Sequence, residues 1–187
     1  MDIEHEHPLH RTGINLGDVK NYPVTISLAI FLFVITLAYE IDVLDNIPCE
    51  IGVLKGAHRT IVHANWKHLF VNIFTLLMLS RIEEKHGSAF FASLILQIWF
   101  ISVIIEFVTQ KYVKLRCSIG FSGVLLGLIA WEMVANGMNI VVLLSLAILV
   151  VIPSIQNKKA SLSGHIIGAI SGLIVAMYFK SKEEKKK

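Results

Sequence analysis

Charge is scarce in this chain: only 17% of its 187 residues are Asp, Glu, Lys or Arg, against roughly a quarter in an ordinary globular domain. Cysteine is scarcer still. Cys49 and Cys117 are too few for a disulfide framework or a thiolate metal site. The apolar stretches lack period-two alternation, which excludes a membrane β-barrel. No internal repeat is visible, and that speaks against a transporter built from duplicated halves. No cleavable signal peptide is visible either, because an acidic, histidine-bearing start precedes the first apolar stretch.

What the chain has in excess is hydrophobicity, 55% of residues, above the roughly 45–50% of globular chains. The apolar residues come in blocks with the charges confined between them, the pattern of a multi-span membrane protein. In lipid every backbone polar group must be satisfied internally, so blocks of this kind form helices. The fold class is therefore an all-α membrane bundle. The net charge of +3 lies mostly in the tail from Lys180 to Lys187. A lysine cluster beside a span is a positive-inside anchor and no sign of a nucleic-acid partner.

Residues 1–22 are polar and read as a solvated tail, and the histidines His5, His7 and His10 read as part of it rather than as a metal site. Six apolar segments follow. The first runs from about Val24 to Tyr39, with Pro23 at its start. An acidic loop leads to the second, about Asn65 to Ser80, which ends in a charged turn at Arg81, Glu83, Glu84 and Lys85. The third spans about Phe90 to Val108. The fourth, about Ile119 to Ala135, stops at the turn dipeptide Asn136-Gly137. The fifth, about Asn139 to Ile152, is expected to end at Pro153. Its 14 residues would rise only about 21 Å, short of a hydrocarbon core about 30 Å thick. A re-entrant segment is the alternative, and a short span is the reading adopted. The sixth runs from about Gly164 to Phe179 and meets the basic tail.

Six spans place both termini on one side, and the lysine-rich end makes that side the cytoplasm. Segments two, four and six then all start on the opposite side. The polar residues of the apolar blocks cluster near those starts: His63, His68 and Asn72, then Ser122, then His165. His68 and Asn72 are four apart and share a helical face. Ionisable residues at such depth are costly and mark functional sites. Gly123 and Gly127 on segment four, with Gly164, Gly168 and Gly172 on segment six, form the small-residue stripes that let helices approach closely. Close packing of the two would bring Ser122 to His165. Glu106 and Glu132, near segment ends, read as interfacial. Cys49 and Cys117 both fall on the non-cytoplasmic side, where a disulfide is permitted. Pairing needs Cα atoms within about 7 Å, and two free thiols are the expectation.

These residues carry a family resemblance. The run from His63 through Trp66, Lys67 and His68 to Asn72 resembles the second-helix motif of rhomboid intramembrane serine proteases. Glu83 and Gly87 resemble the family's following turn, and Gly120-Phe121-Ser122-Gly123 resembles its nucleophile motif. Gly164-His165-Ile166-Ile167-Gly168 with Gly172 resembles its base-bearing last helix. Where the family often has Trp-Arg in the first loop, this chain has His58-Arg59. The resemblance implies a six-transmembrane-helix rhomboid-like bundle over residues 23–180, followed by a basic cytoplasmic tail over 181–187.

It further implies hydrolysis of peptide bonds in membrane-spanning protein substrates by a Ser–His dyad, with no metal or cofactor. Ser122 would be the nucleophile and His165 the base. His68 and Asn72, with the backbone N–H of Ser122, would stabilise the oxyanion, while His63, Gly120 and Gly123 would support the site. The Cys-x-x-Gly-Phe-Ser-Gly and Ser-x-Ser-Gly-His forms are most similar to eukaryotic endomembrane rhomboids, which implies the ER or Golgi. The rival is a proteolytically inactive relative, of derlin or pseudoprotease type, that binds membrane clients. Such relatives usually lack the serine or the histidine, and this chain has both.

Overall fold

A computed structural model describes residues 20–44, 49–113, 115, 117–137, 140–156 and 161–184. His5, His7 and His10 lie outside them, as does most of the polar tail. Among the described residues there are eight helices and no strand. They are α1 (Pro23–Glu40), α2 (Val53–Ile61), α3 (Trp66–Met78), α4 (Ser80–His86), α5 (Ser88–Gln110), α6 (Ser122–Ala135), α7 (Ile140–Gln156) and α8 (Leu162–Glu184).

Helices α1, α5 and α8 are long and apolar enough to cross a membrane, and α6 is a shorter apolar helix. Their outward faces match. Phe31 and Val34 on α1, Phe70 and Phe74 on α3, Leu96 and Phe100 on α5, and Ile166, Ile170 and Ile174 on α8 are all exposed. In water this would be an untenable apolar surface; against lipid tails it is the expected one. The inward faces of α1, α3, α5 and α6 form one core around Leu32, Leu69, Leu76, Phe91, Ile98 and Leu128.

The tightest pair is α6 with α8. A Cβ on Gly168 would overlap the carbonyl of Gly123, and one on Gly172 the carbonyl of Gly127. In the other direction, a Cβ on Gly127 would meet the Gly168 carbonyl at 2.8 Å. The two backbones touch, so each glycine is fixed by the absence of space. Such contact gives dispersion and Cα–H···O interactions that larger residues would prevent.

The ends of the helices show how polar groups are satisfied. No side chain of α1's own start caps it. Instead the buried carboxylate of Glu83, on α4, accepts from the amides of Val24 and Thr25, both at 2.9 Å, and from Thr25 Oγ1 at 2.7 Å. Pro23 sits in the first turn, where a missing N–H is harmless. At α3 the Asn65 side chain accepts from His68 N at 2.9 Å, an ordinary N-cap.

Several expectations need correction. The charged turn after segment two is the helix α4, and Glu83 within it is buried because it caps α1. The first loop contains the short helix α2. Pro153 does not end α7, which continues to Gln156, and α8 continues through the basic stretch to Glu184. Glu106, near the end of α5, is buried and paired with Arg59. Glu132 pairs with Arg81 at 2.7 Å. The cysteines are not free. Cys49 and Cys117 form a disulfide with Cα atoms 5.4 Å apart, inside the limit that made pairing seem unfavourable from sequence.

The glycine contact yields a graded expectation. Gly172→Ala forces a methyl into backbone that cannot yield, and should cost about 3 kcal/mol or more. Gly137→Ala, at a φ of 104° with nothing around it, should cost only the left-handed penalty of about 1–2 kcal/mol. Thermal unfolding in detergent checks the order; equal losses would show that the α6–α8 contact is not tight.

Candidate active site

The site lies where the starts of α3, α6 and α8 meet. Ser122 is the first residue of α6, and His165 lies in the first turn of α8. Each neighbours a glycine of the α6–α8 seam, so the register of that seam sets their approach. Ser122 Oγ and His165 Nε2 are 3.1 Å apart. At α8 the Ser161 side chain accepts from Gly164 N at 3.2 Å, and its carbonyl accepts from His165 N at 3.1 Å. The His165 ring also hydrogen-bonds the backbone of Val150 on α7.

Gly120 has a φ of 109°, and a Cβ there would run into the His68 ring. Its amide donates to the Arg59 carbonyl at 3.0 Å. These two facts fix the approach to Ser122: the backbone turns sharply under His68 and is pinned to the end of α2. As first-turn residues, Ser122 and Gly123 have amides without intrahelical acceptors, directed toward the start of α6.

His63 and Asn72 are both buried. Asn72 Nδ2 lies 2.8 Å from His63 Nε2, and Thr36 Oγ1 on α1 lies 3.4 Å from His63 Nδ1. The Phe121 amide donates toward His63 Nε2 at 3.5 Å. The His63 and His68 rings meet edge to face, centroids 5.2 Å apart. All the residues expected from sequence (Ser122, His165, His68, Asn72, His63, Gly120 and Gly123) are thus brought to one region.

Sequence reasoning missed the groups around them. Arg59, 1% exposed, donates to the Glu50 carbonyl at 2.9 Å and pairs with Glu106 at 3.1 Å. Trp99 Nε1 donates to Thr60 Oγ1 at 2.5 Å, a second tie between α2 and α5. The disulfide closes the same corner, joining the chain before α2 to the segment leading into Gly120. Thr36 was legible as a polar residue inside an apolar helix; Glu106 was legible too, but a partner 47 residues away was not.

A bundle of helices with apolar outward faces and a buried polar centre is that of an integral membrane protein. Its family follows from comparison: the rhomboid domain model matches residues 57–182. A protein of Acanthamoeba polyphaga mimivirus that carries the rhomboid name is 35% identical over 123 residues, covering 65% of this chain and 72% of the relative. The chain belongs to the rhomboid family.

The Arg59–Glu106 pair gives a test of how this corner is held. Removing one partner strands a buried charge, at about 3–5 kcal/mol. Arg59→Met and Glu106→Leu should each be strongly destabilising, while the double variant R59M/E106L should lose much less than their sum. Additive losses in thermal unfolding would mean that the two charges do not depend on each other.

Proposed function

We propose that this chain is an intramembrane serine protease that hydrolyses peptide bonds of membrane-spanning proteins. The observation that carries the proposal is the 3.1 Å contact between Ser122 Oγ and His165 Nε2 at the start of two helices locked by glycine contact. The Ser122 hydroxyl donates to Nε2, so the imidazole is placed to take its proton. The oxygen then bonds to the scissile carbonyl carbon, whose π electrons move onto the oxygen. When the tetrahedral species collapses, the C–N bond breaks and the imidazolium gives its proton to the leaving amine. Water repeats the sequence on the acyl-enzyme.

The oxyanion requires donors that are already aimed. The Ser122 amide at the helix start is one. Asn72 spends one Nδ2 hydrogen on His63 and keeps the second, and His68 flanks the same turn at Gly120. Gly120 and Gly123 serve the site by admitting the His68 ring and the α8 backbone. No step needs a metal or a cofactor.

The topology we assign has six spans: α1, α3 with α4, α5, α6, α7 and α8, with α2 in the first loop. At about 1.5 Å per residue, the 17 residues of α7 rise about 26 Å, nearer a full crossing than the sequence suggested. Both termini are cytoplasmic, with a polar tail before residue 23 and a basic one after 180. An endomembrane of the ER or Golgi fits a disulfide on the non-cytoplasmic side.

Two measurements test this reading. Purified protein with a model transmembrane substrate should cleave it, and Ser122→Ala or His165→Ala should abolish cleavage. Asn72→Ala and His68→Ala should lower turnover roughly 10²–10³-fold if each supplies a principal donor. Equal processing by wild type and Ser122→Ala would instead favour a client-binding protein without protease activity. Separately, reporters placed beside Lys20 and beside Ser181 should label from the cytoplasmic side only. Labelling of the two ends from opposite sides would give an odd number of spans and part Ser122 from His165.

A further inference from the structure

We propose that Thr36, on α1, is a positioning residue for the oxyanion site: it accepts the Nδ1 proton of His63 and so fixes the tautomer that orients Asn72. The inference rests on the protease reading for its kinetic consequence, but not for its structural one.

Three hydrogen-bonding groups and the His68 ring surround His63, which is itself only 4% exposed. The Phe121 amide can only donate, and it points at Nε2 from 3.5 Å. Nε2 must therefore carry a lone pair. A neutral imidazole with a free Nε2 bears its proton on Nδ1. That N–H is buried and needs an acceptor. Thr36 Oγ1, 2% exposed and 3.4 Å away, occupies the position. A helical threonine can turn its own hydroxyl hydrogen to a carbonyl one turn back, which leaves the oxygen free to accept.

The consequence reaches Asn72. Because Nε2 accepts, Asn72 must present Nδ2 to it at 2.8 Å and not Oδ1. This settles the amide's orientation by chemistry rather than by shape. One Nδ2 hydrogen is held by His63, and the plane of the amide is thereby fixed for the other. If the proton moved to Nε2, the ring would attract Oδ1, the amide would turn over, and the Phe121 amide would lose its acceptor. Phe121 immediately precedes Ser122, so the same proton position bears on the nucleophile's turn. The buried face of α1 carries two hydroxyls and Leu32 between them: Thr25 bonds Glu83 at the helix start, and Thr36, one turn after Leu32, meets His63.

Thr36→Val keeps the volume and removes the acceptor, whereas Thr36→Ser keeps the acceptor. We expect Thr36→Val to lower kcat about 3- to 10-fold with KM unchanged, the range of one lost neutral hydrogen bond, and Thr36→Ser to restore it. In an Asn72→Ala background, Thr36→Val should have no further effect on kcat. Independently of turnover, 15N spectra of histidine-labelled protein, assigned with His63→Gln, should show His63 protonated at Nδ1 in the wild type and a tautomer mixture in Thr36→Val. A wild-type His63 protonated at Nε2, or an unchanged His63 signal in folded Thr36→Val, overturns the proposal. The spectra decide the hydrogen bond even if the protein cleaves nothing. Full kcat in an active Thr36→Val variant with a changed signal would refute the link to Asn72.

Discussion

The structure depends on the direct contact of two helix backbones. Gly123 and Gly127 on α6 meet Gly164, Gly168 and Gly172 on α8, where the carbonyls of Gly123 and Gly127 lie directly against Gly168 and Gly172. In lipid there is no hydrophobic force to drive helices together, so association rests on close packing. Glycine gives the closest packing available, and it also fixes register. A carbonyl of one helix seats against a bare Cα of the other, and a shift of one residue would place a side chain there. Register at this seam is what carries Ser122 to His165, since each is adjacent in sequence to a seam glycine.

Around that seam the remaining polar groups are satisfied by partners distant in the chain. Glu83 caps α1 from α4, Arg59 joins α2 to Glu106 on α5, and the Arg59 carbonyl holds the Gly120 amide. Each partner fills a need that water would otherwise meet, and a low-dielectric interior makes each unmet need expensive. The disulfide adds a covalent tie at the same corner. The segment entering α6 is thus held by a disulfide, a backbone hydrogen bond and the His68 ring, three constraints of different kinds acting within a few residues.

A site built this way separates duties. Ser122 and His165 lie on the seam, where position is set by backbone contact. His63, Asn72 and Thr36 form a buried polar chain from α1 to α3, where position is set by donors and acceptors. The first kind of constraint tolerates no added volume, and the second tolerates no lost hydrogen bond.

Much of this was legible in the sequence. Apolar blocks gave the helices, because a span must be continuous and apolar to satisfy its backbone in lipid. The parity of the spans and the glycine spacing pointed to Ser122, His165, His68, Asn72 and His63 as one cluster. Local signals failed where a distant partner took over. A run of charges at Arg81, Glu83 and Glu84 looks like a turn until Glu83 has α1 to cap, and Pro153 looks like a stop although α7 runs on to Gln156. The partner of Glu106 was hidden because Arg59 lies 47 residues away. The cysteines were expected to be free because nothing in the sequence brings their Cα atoms within reach, yet they pair across 68 residues. Sequence alone determined which apolar segments are helical, which residues are polar within them and which faces can touch, because these follow from composition and the period of the helix. Only the tertiary structure decided which polar groups meet, because a hydrogen bond, an ion pair or a disulfide is set by distances of a few ångströms that span number and spacing do not specify.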